Sequence, residues 1–247
     1  MSENTHRLRA IIRVCVSPSI WLLAVLSQVP VVLVYLKVFA GDDGQQSIPG
    51  IFFLAWMILI LFLSGGIFNA LASHRDPVGL RQMVQLAQPV FGVFLWLILR
   101  AMFLGMVVLM MLIWMTAPES GDMQASAVQE WLQTRISLMT LVMATVHLLF
   151  IYWLPLVFVR RNFMLIPTLL ASVRVFMSRL PQSPFLIALL GIPALGLFAM
   201  PDNAPWVLVV IIGMSAKLFS WIAYTYCVEY VVRDKDQLPL AHAGNPQ

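Results

Sequence analysis

Charge is what this sequence has least of: 11% of its 247 residues are Asp, Glu, Lys or Arg, against about 25% in an average soluble domain. That scarcity excludes a water-soluble globular domain of ordinary composition. Cysteine is nearly absent as well. Cys15 and Cys227 lie far apart with no metal-type spacing, so neither a disulfide framework nor a zinc site is implied, and both are expected as free thiols. Glycine-rich phosphate loops, paired carboxylates and HExxH are all missing, and serines such as Ser137 and Ser220 have no base-and-acid partner in the pattern around them. A hydrolase or an ATP-driven enzyme is therefore disfavoured. The chain is expected to be non-enzymatic and to need no cofactor or metal.

What is present is hydrocarbon. The chain is 61% hydrophobic with a mean hydropathy of +0.89, which belongs in a membrane. Its net charge of +4 could suggest nucleic acid, but the basic residues sit singly or in pairs in short loops rather than along one soluble face. Positive-inside placement accounts for them better.

Taken in order, residues 1–16 read as an amphipathic helix on an anionic membrane surface, with Arg7, Arg9 and Arg13 set against Leu8, Ile11, Ile12 and Cys15. A six-helix transmembrane domain over 17–232 follows, and 233–247 is expected as a disordered cytoplasmic tail. The six spans are 17–40, 48–72, 90–116, 136–159, 185–200 and 206–232, most of them long enough for about 30 Å of hydrocarbon. Val38-Phe39-Ala40 would suit signal-peptide cleavage, but the apolar stretch before it is long for an h-region and contains Pro30, which favours an uncleaved first span. Span five is short and interrupted by Gly191, Pro193 and Gly196, so a tilted, kinked or partly embedded helix is expected.

Between spans two and three, Asp76 reads as an N-cap and Pro77 as the first helical residue. Leu80, Met83, Val84 and Ala87 then form one face, opposite Arg81, Gln82, Gln85 and Gln88, before Pro89. A similar helix follows Arg160-Arg161, with Leu169, Leu170, Val173, Phe176, Met177 and Leu180 opposite Ser172, Ser178 and Arg179. LRAIIRVCVSP, LRQMVQLAQP and VRVFMSRLPQSP each precede an odd-numbered span, which suggests a three-hairpin internal repeat. Loops beside a membrane tend to look amphipathic in any case.

Six spans put both termini on one side. With the N-terminus inside, eleven lysines and arginines are cytoplasmic and only Lys37 and Arg135 are external, against six external acids. The orientation is that of a bacterial cytoplasmic (inner) membrane protein with both ends cytoplasmic.

The segments GGIFNALASHRDPVGLRQMVQLAQPVFGVFLW and LLASVRVFMSRLPQSPFLIALL resemble the uncharacterised six-span bacterial membrane proteins that are similar to the membrane domain of some glycerophosphodiester phosphodiesterases. The resemblance covers about the middle two-thirds of the chain and implies a six-helix integral membrane fold. It brings no catalytic residues, because the phosphodiesterase itself would be a separate barrel of roughly 250 residues.

Three basic groups fall near mid-depth: Arg100 in span three, His147 in span four and Lys217 in span six. Ionisable groups at that depth are costly and mark functional sites by default. Trp96 precedes Arg100 by one turn, and Trp221 follows Lys217 by one turn, so a ring can stack on each cation. Together these five residues suggest a site for an anionic lipid or small amphiphile. Against it stands the plainer reading that the cations snorkel to headgroups and His147 bonds a backbone carbonyl. Two functions remain open: a lipid- or amphiphile-binding or transport module, and an accessory or scaffold subunit whose partners are other membrane proteins or copies of itself. Gly65-Gly66 reads as a close helix contact, and Met106, Met110, Met111 and Met115 read as adaptable packing rather than soft-metal ligands.

Overall fold

The structure is a computed structural model, and it describes residues 3–36, 50–73, 79–116, 145–180, 183–198 and 205–233. No strand occurs among them. The helices are α1 (Glu3–Val16), α2 (Pro18–Leu26), α3 (Val29–Tyr35), α4 (Gly50–Ala72), α5 (Leu80–Ala87), α6 (Phe91–Thr116), α7 (Trp153–Arg160), α8 (Leu165–Ser178), α9 (Ser183–Phe198) and α10 (Trp206–Arg233). Three are long and apolar enough to cross a bilayer: α4, α6 over Phe91–Val108, and α10. Residues 4–16 and 18–33 form a pair bent by 69°, a fourth span if the two are counted as one. The acidic connection, residues 136–144 of predicted span four and the tail after Arg233 lie outside the described residues.

Sequence chemistry places the breaks. Ser17 and Pro18 end α1 and start α2, because proline at the first helical position needs no N–H partner. The indole N–H of Trp21 then donates to the Cys15 carbonyl at 3.1 Å, which satisfies a group left over at the end of α1. Predicted span one is not one helix. It breaks at Ser27-Gln28, just before Pro30, where the Ser27 hydroxyl donates back to Ala24 at 2.7 Å.

Predicted span four breaks similarly at 150–152. There the Trp153 N–H bonds Phe150 rather than Leu149, and the Ser172 hydroxyl of α8 donates to the freed Leu149 carbonyl at 3.2 Å. The start of α5 needs correcting: Gly79, in an extended conformation, is its N-cap, three residues beyond the expected Asp76, which lies with Pro77 outside the described residues. Span five is a continuous helix that accommodates Pro193.

The core gathers at one end of the bundle. It is built from the second half of α4 (Leu63, Ile67, Phe68, Leu71), Val90 and the first half of α6 (Phe94, Leu97), α7 and the second half of α10 (Trp221 to Val231). Around it sit α1, α5 and α8. The opposite halves of the long helices expose Ile51, Phe53, Phe103, Met106 and Ile211 among the described residues. In hydrocarbon such side chains need no burial, because a lipid tail is as good a neighbour as leucine.

The amphipathic helices divide their apolar residues between the core and the surroundings. α1 turns Ala10 and Val14 inward and leaves Leu8, Ile11 and Ile12 exposed. α8 buries Thr168 and Ser172 beside Val175 and Phe176, with Leu170 and Met177 outward. α5 buries Met83 and Ala87 but exposes Leu80 and Val84, so its single predicted apolar face is shared between protein and surroundings.

α7 ends at Arg161, which has φ 54° and ψ 29°, the left-handed position that closes a helix, with the Asn162 N–H on the Val157 carbonyl at 3.2 Å. An arginine there carries a Cβ penalty that glycine lacks. Arg161→Gly should therefore raise stability by up to about 1 kcal/mol, less the unfolded-state entropy of glycine. A thermal melt in detergent that shifted downward would refute this.

Candidate functional site

Residue spacing on α10 brings one set of side chains to a single face: Lys217, Trp221 and Tyr224 are separated by four and three positions. His147, on the helical turn just before the break in span four, meets this face. Its Nε2 lies 3.5 Å from the Tyr224 hydroxyl, and the two rings are 5.9 Å apart edge to face. Lys217 is near enough for its charge to act on the imidazole.

Trp221, buried, closes the inner wall. Its ring lies 5.9 Å from Tyr224 and 4.9 Å from Phe68 of α4, and Phe68 also meets Tyr224 at 5.1 Å. The wall is thus aromatic and firmly packed, whereas Lys217 is half-buried and His147 exposed at its edge.

A second polar group reaches this region. The Gln28 amide, at the break between α2 and α3, lies against Gly213, one turn before Lys217. A Cβ at Gly213 would overlap the amide oxygen and come 2.9 Å from its carbonyl carbon. Glycine is what lets an amide sit at that depth. Sequence reasoning passed over Gln28, although a Ser-Gln pair before a proline in an apolar run was a usable signal. It also passed over Tyr224, whose role depends on His147 being opposite.

Arg100 stands apart. It is exposed on α6 with its guanidinium 4.9 Å from the centre of the Trp96 ring, the cation–π contact expected from the spacing. Among the described residues no hydrogen bond, ion pair or ring contact joins Arg100 or Trp96 to Lys217, His147 or Trp221. His147 meets the α10 face that carries Lys217, while Arg100 is exposed on α6.

The acid nearest this face in sequence, Glu229, is engaged elsewhere. It lies three turns further along α10, where Arg13 of α1 donates to Oε1 at 3.0 Å and His6 Nδ1 lies 3.7 Å from Oε2. Among the described residues Lys217 and His147 therefore have no carboxylate counter-ion. The Ser220 hydroxyl on α10 is used by its own helix, donating to Ala216 at 2.8 Å. Met106, Val107, Met110 and Met111 line an open apolar groove of about 340 Å³ on α6. No group of three or more potential metal ligands occurs among the described residues.

The arrangement thus sets a lysine and an imidazole along the edge of an aromatic wall. Comparison with protein-family models, with curated proteins and with solved structures finds no match.

Proposed function

We propose that this chain is a six-span bacterial inner-membrane protein with both termini cytoplasmic, and that it binds or moves an anionic lipid or small amphiphile without chemical conversion. The observation that carries this reading is the meeting of His147 with Tyr224 on the α10 face that also carries Lys217 and Trp221, with no acid among the described residues to neutralise the lysine. A cation at this depth is costly unless something anionic meets it. A phosphate or carboxylate head would take the charge of Lys217 and a hydrogen bond from His147 or Tyr224, and its apolar part would lie along Trp221 and Phe68. The charge bias between the two sets of loops supports the orientation, and the clustering of α1, α5 and α8 around one packed end is consistent with it.

The outward Arg100–Trp96 pair favours a second reading, in which this face of α6 docks another membrane protein or a second copy of the chain. The two readings separate by experiment. Native mass spectrometry of the full chain, released from nanodiscs containing phosphatidylglycerol and phosphatidylcholine, should show retained phosphatidylglycerol. Lys217→Ala should reduce retention about tenfold or more, since a charge-assisted contact contributes about 1.5–3 kcal/mol. Arg100→Ala should have less effect. Equal retention of both lipids, or indifference to Lys217→Ala, would leave the accessory-subunit reading in its place.

A further inference from the structure

We propose that His6 is a proton-operated switch which exchanges Arg233 for Glu229 as its main partner at the junction of α1 and α10. This inference does not rest on the lipid-binding reading, because it concerns the C-terminal end of α10, whereas Lys217 lies near its middle.

The geometry determines the tautomer. Arg233 Nη1 lies 3.1 Å from His6 Nε2, and a guanidinium can only donate. Nε2 must therefore accept, which leaves the imidazole neutral with its proton on Nδ1. That proton faces Glu229 Oε2 at 3.7 Å, longer than a good hydrogen bond. Oε2 is buried with no hydrogen-bond partner, while Oε1 is held by Arg13 at 3.0 Å. In the neutral state His6 is thus bonded firmly to Arg233 and loosely to Glu229.

Protonation inverts this preference. The added proton goes on Nε2, where it opposes the guanidinium with a donor and a like charge. The imidazolium's Nδ1–H gains a charge-assisted partner in Oε2, an acceptor with room for it. Arg233, at the end of α10, is released.

The surrounding charges agree. Arg9 and Arg13 of α1 both act on Glu229. Arg7 of α1 lies over the Phe185 ring of α9 at 5.0 Å, and Arg179, just after α8, lies over the Tyr230 ring at 4.5 Å. Arg233, Cys227 and the phenols of Tyr226 and Tyr230 lie on the same stretch of α10, with Tyr152 5.9 Å from Tyr230. Among them the imidazole is the type that ordinarily changes charge between about pH 5 and about pH 8.

The test uses the full chain in detergent micelles. Nitrogen-15 spectra of imidazole-labelled protein at about pH 8, with His6 assigned by its loss in His6→Gln, should show His6 protonated on Nδ1 and bare on Nε2. Trypsin cleavage after Arg233, taken as a ratio to cleavage after the exposed Arg161, should rise severalfold between about pH 8 and about pH 6. His6→Gln keeps an acceptor for Arg233 and a donor for Glu229 but does not titrate, so its ratio should stay low at both pH values. In His6→Lys the ratio should be high at both. A proton on Nε2 at the higher pH, or the same pH response in His6→Gln, would overturn the switch.

Discussion

Glu229→Leu is expected to destabilise the packed end of the bundle by about 3–5 kcal/mol, the range for removing one partner of a buried ion pair. The Glu229 side chain is 7% exposed and that of Arg13 12%, so solvent screens little of the interaction. Removing the carboxylate takes from the Arg13 guanidinium the acceptor that meets it at 3.0 Å, and from His6 the carboxylate oxygen 3.7 Å away. Leucine would restore apolar volume, but that is the smaller effect. The double variant Arg13→Leu, Glu229→Leu is expected to recover much of the loss, because a buried pair replaced by apolar side chains on both sides costs far less than a pair broken on one. Glu229→Gln keeps an acceptor for Arg13 without the charge and should fall between. Thermal melts in detergent, followed through tryptophan fluorescence, supply the double-mutant cycle. A single-variant loss below about 1 kcal/mol would mean that the pair behaves as a solvated surface bridge.

The long apolar helices were legible because length and hydropathy decide them locally. Span two, expected over 48–72, is α4 from Gly50, and span six, expected over 206–232, is α10 to Arg233. The breaks within spans one and four were harder to see. They depend on which carbonyls find side-chain partners, as Leu149 does in Ser172 from another helix.

The amphipathic faces were legible from periodicity, but which of their residues the protein buries was not: α1 turns Ala10 and Val14 inward and α8 Thr168, Ser172, Val175 and Phe176, leaving leucine, isoleucine and methionine outward. In a membrane protein the inward face is chosen by close approach and hydrogen bonding. Part of the site was legible one residue at a time. Depth marked Arg100, His147 and Lys217, and one-turn spacing marked Trp96 on Arg100. That His147 meets the Lys217 face of α10 through Tyr224 while Arg100 is exposed on α6 is a fact of tertiary packing, and so is the pairing of Arg13 with Glu229 across nearly the whole chain.

Gly66→Ala should be strongly destabilising although alanine is the better helix former. In an open helix interior the exchange would gain about 1 kcal/mol. At Gly66 the new Cβ would overlap the Met83 carbonyl oxygen of α5, with Met83 C at 3.0 Å and Ala87 Cβ at 3.1 Å. These are mostly backbone atoms of a neighbouring helix and cannot swing aside as a flexible side chain would. α5 must therefore move as a body, and moving it strains the bond at 2.8 Å in which the buried Asn69 amide donates to the Leu86 carbonyl in the last turn of α5. Overpacking of this kind costs about 1–3 kcal/mol or more, and the lost bond adds about 1 kcal/mol. The net expectation is a loss of about 1–3 kcal/mol or more, the lost bond and the helix-propensity gain nearly cancelling. Gly92 supplies the control, since a Cβ there meets nothing within 4 Å. Gly92→Ala should be neutral or stabilising by up to about 1 kcal/mol. Comparing the two melts, together with hydrogen exchange of the α5 amides, separates undocking of α5 from a general loss of stability. Undocking speeds exchange in Leu80–Ala87 well before the α10 amides follow. If Gly66→Ala melted like Gly92→Ala, the close approach of α4 and α5 would not be a stabilising contact.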